Sequence, residues 1–313
     1  MADPVLYPGL DGPAPVEQVA RLTAQQRSDR VKRLIEQSSM IVNDAMDRHL
    51  GERELTGKVV LFSGGNDSTV LLHLMHWLRN ADYAAHANTT IGIEETRVFV
   101  RETCAAMNIP LLEKFPPKSY RELILEEIDG APRAFPGPGQ HYFYYQRLKE
   151  RALRHVRRQL VTRPRGQRVM FIAGRRRAES KRRGTFKASG QSQVPLHEVE
   201  GSVIWCSPLA NWTKLDMTTY RMVCAADGRP VPVNQVSDLL HMSGECLCGC
   251  FSHEGELEEI RYWYPQTAEE IDKLMAEVAA AGVEGVRATW GHGKGRPTRR
   301  KGVLCEDCQP TLW

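Results

Sequence analysis

The sequence has no apolar run approaching the length of a bilayer-spanning helix. Its start, "MADPVLYPGLDGPAP", lacks a basic stretch followed by an apolar one, so no secretory signal is visible and a cytoplasmic location is expected. No internal repeat is visible. Two familiar nucleotide motifs are also absent: the Walker-type G-x-x-x-x-G-K-S/T and the dinucleotide fingerprint G-x-G-x-x-G. Net charge is small, at +4. With 26% charged and 42% hydrophobic residues, the composition is ordinary for a soluble globular chain. At 313 residues there is room for one large domain and an appended module.

The small net charge hides an uneven distribution. Residues 147–187 hold 16 Lys or Arg against two acids, Glu150 and Glu179, so this segment carries +14 and the remainder −10. Such a stripe points to a polyanionic partner, either nucleotide phosphates or a nucleic-acid backbone. A solvated helix face would explain the spaced arginines of 147–158 better than the dense Arg175-Arg176-Arg177. The eight cysteines are uneven too. Cys104, Cys206 and Cys224 stand alone among apolar neighbours and read as buried bystanders. Cys246, Cys248, Cys250, Cys305 and Cys308 crowd the last quarter, where clustering favours metal or redox chemistry over disulfides.

Along the chain, a loose Pro/Gly-rich arm of fifteen residues precedes a helical pattern over 16–50. Strand and helix signals then alternate: strand 59–62, helix 68–79, strand 83–90, helix 93–107, strand 110–115 and a helix around 120–128. After the irregular "FPGPGQ" come a basic helix over 142–160, strand 169–173, a strand at 203–205 and an amphipathic helix over 266–281. Short apolar strands alternating with helices imply an α/β fold, a parallel sheet with helices on both faces. Ligands in such folds sit at the carboxyl ends of the strands.

"KVVLFSGGNDSTVLLHLMHWL" places Ser63-Gly64-Gly65-Asn66-Asp67-Ser68 between a buried strand and a helix. Two glycines allow positive φ and close backbone approach, the helix start adds partial positive charge, and Ser63 and Ser68 add hydroxyls. That is a phosphate cradle. S-G-G-x-D-S after a strand resembles the PP-loop of the N-type ATP pyrophosphatases, which implies that Ser63–Ser68 hold ATP and that Asp67 meets Mg2+ beside the polyphosphate.

Further motifs resemble the phosphoadenosine phosphosulfate (PAPS) reductase-like branch of that adenine nucleotide alpha-hydrolase-like superfamily. "HANTTIGIEETRVFVRE" matches through Thr90, Gly92 and Glu95, and "FIAGRRRAESKRR" through Gly174, Arg176, Glu179 and Ser180. "CSPLANWTKLDMTTY" matches through Pro208, Leu209, Trp212, Thr213 and Asp216, and "QRLKERAL" puts Lys149 in the basic position. The resemblance runs from about Lys58 to His253. It implies nucleotide contacts from Thr90, Gly92 and Gly174, with Arg176 and Lys149 neutralising charge on the α-phosphate. Glu179 reads equally as an orienter of Arg176, a metal contact or a plain salt bridge. Thr213 and Trp212 are expected to be a helix cap and a core aromatic, and Pro208 and Leu209 scaffold.

A C-x-C and a distant C-x-x-C can supply four thiolates to one tetrahedral site. "SGECLCGC" resembles the family's S-G-E-C-x-C-G-A, making Cys246, Cys248, Cys305 and Cys308 the expected ligands of a 4Fe-4S cluster or Zn2+, and Cys250 a spare. His253 is expected at the surface. The organisation expected is an N-terminal arm and helices (1–56), a nucleotide-binding domain (57–240) and a Cys-rich module with a basic tail (241–313).

True sulfonucleotide reductases of the family carry a degraded loop and end in E-C-G-x-H; this chain keeps the loop intact and has no such ending. The resemblance therefore implies ATP-dependent adenylation of an acceptor, such as a nucleobase of tRNA or DNA, for sulfur transfer from a donor protein. The alternatives are a PAPS reductase or sulfotransferase using the same pocket, and a non-enzymatic metal-stabilised nucleic-acid-binding protein.

Overall fold

The computed structural model describes residues 16–179 and 194–291. The expected arm over 1–15, Ser180, the ligands Cys305 and Cys308, and the basic tail lie outside the described residues.

Helices α1 (Val16–Ala20) and α2 (Ala24–His49) lead into strand β1 (Glu54–Leu61). The helical pattern expected over 16–50 forms two helices divided before Thr23, whose side chain accepts from the Gln26 amide and caps α2 in a reciprocal box. Then follow α3 (Asn66–Trp77), β2 (Tyr83–Ala87), α4 (Glu94–Ala106), β3 (Leu111–Lys114) and α5 (Tyr120–Ile124). The helix expected to reach 128 stops at Ile124. Beyond it Asp129 and Gly130 take positive φ, 53° and 80°, the Asp-Gly geometry that turns a tight hairpin between β4 (Glu127–Ile128) and β5 (Ala131–Pro132).

The basic helix expected over 142–160 is three pieces: α6 (His141–Tyr144), a π-helical stretch Tyr145–Glu150, and α7 (Arg151–Leu160). Strands β6 (Gln167–Ile172), β7 (His197–Glu200) and β8 (Val203–Cys206) are followed by α8 (Lys214–Ala226), α9 (Gln235–Leu240), α10 (Glu256–Trp263) and α11 (Pro265–Ala280).

The main sheet runs β3-β2-β1-β6-β8-β7, parallel except for the antiparallel edge strand β7. Its central strands are apolar on both faces because both are covered. Val60 packs with Leu34 of α2, Leu71 of α3, Val100 of α4 and Tyr220 of α8, while its neighbour Val59 packs with Phe171 and with Val156 of α7. Strand β7, "HEVE", was not anticipated; a charged edge strand has no apolar run to betray it. As expected, Cys104, Cys206 and Cys224 are buried, and burial pushes the Cys104 and Cys206 thiols up to about 12.

The N-terminal helices are tied to the sequence motif that opens α8. Arg30 grips both carboxylate oxygens of Asp216, at 2.8 and 3.1 Å, with both side chains fully buried. Ser38 Oγ donates to the Pro208 carbonyl and accepts from the Trp212 indole. Thr213 caps α8 and Trp212 is core, as the sequence suggested. A second apolar core gathers Ile91, Tyr120, Tyr144, Leu148, Cys248, Cys250, Ile271 and Trp290. Among the described residues no helix is long and apolar enough to cross a membrane.

Candidate functional site

From β1 the chain passes to β2 and β3 on one side of the sheet, while β6 and β8 lie on the other. The crevice at the carboxyl ends of β1 and β6 is therefore the topological switch point. The loop after β1 leads to α3, whose N-cap is Gly65 with no side-chain cap hydrogen bond. The starts of α4, α10 and α11 likewise have no side-chain cap, whereas α2, α5 and α8 each open with a filled capping box. The start of α3 thus keeps its backbone donors for an anion. Gly64 has φ +75°, and a Cβ there would meet Thr96 Cγ2 at 2.7 Å, so the turn demands glycine on two counts. The Ser63 and Ser68 hydroxyls lie 3.2 Å apart, and Ser68 donates to the Gly65 carbonyl.

Asp67, in the first turn of α3, meets Arg176 from the loop after β6. Both the Nε and a terminal nitrogen of Arg176 lie 2.7 Å from Asp67 Oδ2. Among the described residues Oδ1 has no hydrogen-bond partner. Gly174 lies beside the start of α3, where a Cβ would stand in ordinary contact, 3.6 Å, with the Asp67 carbonyl group. The arginine triplet divides its work. Arg177 is buried and donates to Asn211 and the Val194 carbonyl, a scaffold role, while Arg175 pairs with Glu198 and Ser207.

These groups border a cavity of about 960 Å3, ample for a nucleotide. Its lining holds Ser63, Gly65, Asn66, Asp67, Ser68, Lys149, Gly174, Arg176 and Glu179 of the expected set. Tyr145, Lys149 and Leu153, spaced by four, form one wall. Burial pushes the Lys149 ammonium down, but Cys246, Glu245 and Cys248 beside it more than offset this and leave it raised. Glu17, Lys214, Ser237 and Glu245 also line the cavity and were not anticipated. Arg221 reaches Asn66 Oδ1 at 3.1 Å, a link that a separation of 155 residues hides from the sequence.

Thr90 and Gly92 were expected at the nucleotide, but neither is among the described residues lining the cavity. Thr90 accepts the Tyr120 amide at 2.7 Å, and a Cβ on Gly92 would meet the Glu245 carbonyl oxygen at 2.6 Å. Together they seat the Cys-bearing segment. Glu245, 1% exposed, accepts from the Thr89 amide at 2.7 Å, with His86 Nε2 at 3.0 Å and Arg97 at 3.5 Å. Thr96 donates to the Ser243 carbonyl at 2.7 Å, and Asn234 bridges from the Gly64 carbonyl to Thr96. One network thus joins the loop of Ser63–Ser68 to the segment that bears the cysteines. "SGEC" contained the signal for Glu245, and the capping pattern "NQVSD" that for Asn234.

The Cys246, Cys248 and Cys250 side chains neighbour one another, and the adjacent Cys248 thiol and burial push the Cys246 thiol up. Cys250, expected as the spare, is fully buried. The thiols are soft donors, yet among the described residues no group of three or more His, Cys, Asp or Glu is arranged to hold a metal ion. The described part of the set does not by itself make a metal centre. His253, expected at the surface, is tucked against Glu256 at 2.6 Å and Glu259 at 3.5 Å.

Among solved structures, phosphoadenylyl-sulfate reductase from Candida auris is similar at 18% identity, over 69% of this chain and 92% of that one, with TM-score 0.42. FMN adenylyltransferase from Candida glabrata with ATP follows at 11%, 72%, 64% and 0.40. The U34-tRNA thiolase from Methanococcus maripaludis, with its 4Fe-4S cluster, is similar at 13%, over 90% and 88%, with TM-score 0.39. Likenesses this distant carry no argument about activity. No curated protein matches the chain. The model of the phosphoadenosine phosphosulfate reductase domain, however, matches residues 57–224, from β1 through the phosphate loop and the Asp67–Arg176 pair to α8. With over half its length matched, the chain belongs to the phosphoadenosine phosphosulfate reductase domain family.

Proposed function

We propose that the protein is an ATP-dependent adenylating enzyme that activates a nucleobase or another acceptor for sulfur transfer. The observation that carries this reading is the uncapped start of α3 beside the Asp67–Arg176 pair, both opening on one cavity. The α3 amides with Ser63 and Ser68 would cradle the pyrophosphate, while Arg176 and Lys149 would offset charge on the α-phosphate. An acceptor oxygen attacks that phosphorus, and pyrophosphate leaves with the electron pair of the broken P–O bond. A sulfur nucleophile then displaces AMP from the acceptor.

The open Oδ1 of Asp67 fits Mg2+, which when bound would neutralise polyphosphate charge. Cys246 and Cys248, with Cys305 and Cys308, are the proposed ligands of a 4Fe-4S cluster or Zn2+, and no step above depends on it. The reading assigns nucleotide binding to residues 57–240, with the cysteine module at 241–313 and helical support from 1–56. The charge stripe supports a tRNA or DNA acceptor, and the adenylated acceptor implies a sulfur-donor partner. ATP/pyrophosphate exchange by the wild-type protein, with total tRNA supplied as acceptor, tests the proposal.

A second reading, PAPS reduction in the same cavity, is favoured by the description of the matched family. The intact Gly65 and Asp67 weigh toward ATP. Thioredoxin-dependent release of sulfite from PAPS would select reduction.

A further inference from the structure

The wall of Tyr145, Lys149 and Leu153 does not end at the cavity. One turn outward the same face continues in His141, whose ring lies 4.4 Å from that of Phe251 and 6.0 Å from that of Tyr145. Phe251 comes from the cysteine-bearing loop and is 69% exposed, Tyr145 is 40% exposed and Tyr142 is 67% exposed. Large aromatics this open bury little on folding and need another occupant to be useful. The helical run that carries two of them, Tyr142 and Tyr145, also carries Arg151 and Arg158, both exposed and with no ion pair among the described residues. Arg147, two residues off the register of that wall, lies over the Phe143 ring, and burial, then Arg151 and Arg133 nearby, push its guanidinium down. The neighbourhood thus combines flat rings with more arginines than the acids Glu126 and Glu150 can pair.

We propose that Phe251, His141 and Tyr145 form a stacking ledge for an unpaired base of a single-stranded nucleic acid, whose backbone crosses the arginine-bearing face of the same helix. The chemistry is that of sequence-tolerant strand binders, in which rings take the bases and a cationic face takes the phosphates. The ledge lies between the phosphate-loop cavity and the loop of Cys246, Cys248 and Cys250. It rests on the proposed function only in naming the acceptor, since the binding itself needs no catalysis. The π-helical stretch Tyr145–Glu150 spaces Tyr145 and Lys149 along the wall, a distortion often found at binding sites.

Fluorescence anisotropy with short labelled single strands of RNA and of DNA, and with the corresponding duplexes, tests the ledge. The wild-type protein should bind single strands more tightly than duplex, and the better of RNA and DNA names the source of the base. Phe251→Ala should weaken single-strand binding about tenfold, Phe251→Trp should restore it, and ATP affinity should be unchanged in both. Replacing Arg151 and Arg158 together by Ala should lower the slope of log affinity against log salt by about 1.4. Equal binding by Phe251→Ala and wild type, or a preference for duplex, would overturn the proposal. Ring-dependent strand binding without ATP/pyrophosphate exchange would remove the adenylation reading and leave the ledge standing. Exchange without ring-dependent strand binding would do the reverse.

Discussion

Both contacting nitrogens of Arg176 close on a single oxygen of Asp67, Oδ2, each at 2.7 Å, and among the described residues the other oxygen has no hydrogen-bond partner. The arginine holds the carboxylate in place without spending all of it. Substitution of Arg176 by Ala should therefore lower kcat/KM for ATP/pyrophosphate exchange about a hundredfold, since a charge-stabilising donor and an orienting contact are lost together. Lysine at this position restores the charge but not the two-nitrogen grip, so Arg176→Lys should recover only part of the rate. Steady-state kinetics on both variants decide it.

The buried pair Arg30–Asp216 should matter to stability more than to chemistry. Both side chains are fully buried, so Arg30→Ala strands a carboxylate that also accepts from Thr213, at a cost of about 3–5 kcal/mol. The exposed pair Arg48–Asp44 is the control, and Arg48→Ala should cost less than about 1 kcal/mol. Urea unfolding of the two variants measures the difference.

At Gly92 the added methyl group of alanine meets backbone, the Glu245 carbonyl oxygen at 2.6 Å and that of Gly244 at 2.9 Å. Backbone cannot swing aside as a side chain can, so Gly92→Ala should destabilise the protein by about 1–3 kcal/mol and displace the cysteine segment. Gly166→Ala, with nothing within 4 Å, should fall within about 0.5 kcal/mol of wild type. Thermal unfolding checks both, and alkylation rates of Cys246 report the displacement.

His73 should make stability pH-dependent. Burial, helped by Arg229, pushes its imidazole down to about 4, with Nδ1 2.7 Å from the Tyr220 hydroxyl. Between about 6.5 and 4 the unfolded chain takes up a proton that the folded chain refuses, so this contribution is full above pH 6.5 and is lost as pH falls through that window. The loss is on the order of 2–3 kcal/mol. Replacing His73 by Gln should flatten the pH profile of the urea midpoint over that range.

The parts of this molecule legible in its sequence are those whose cause is local. The strand, two glycines, Asp67 and apolar helix of the phosphate loop are consecutive, and the alternation of apolar strands with helices gave the parallel sheet. Thr213 announced itself as a cap because its partner Asp216 lies three residues on. What escaped depends on partners far along the chain. Arg30 meets Asp216 across 186 residues, and Glu245 meets Thr89 across 156. Thr90 and Gly92 were assigned to the nucleotide because they sit in a motif; only the folded chain shows their neighbours to be Tyr120 and Glu245. Strand β7 escaped for the opposite reason, because an edge strand pairs through its backbone and needs no apolar signature.

The central claim is that the phosphate loop holds ATP for adenylation through Asp67. The most direct measurement is ATP/pyrophosphate exchange, with total tRNA supplied as acceptor, by wild type and by Asp67→Ala, with folding of the variant verified by its urea midpoint. The account predicts exchange in the wild type and a loss of about a hundredfold or more in the variant. Exchange that persists undiminished in Asp67→Ala would contradict it.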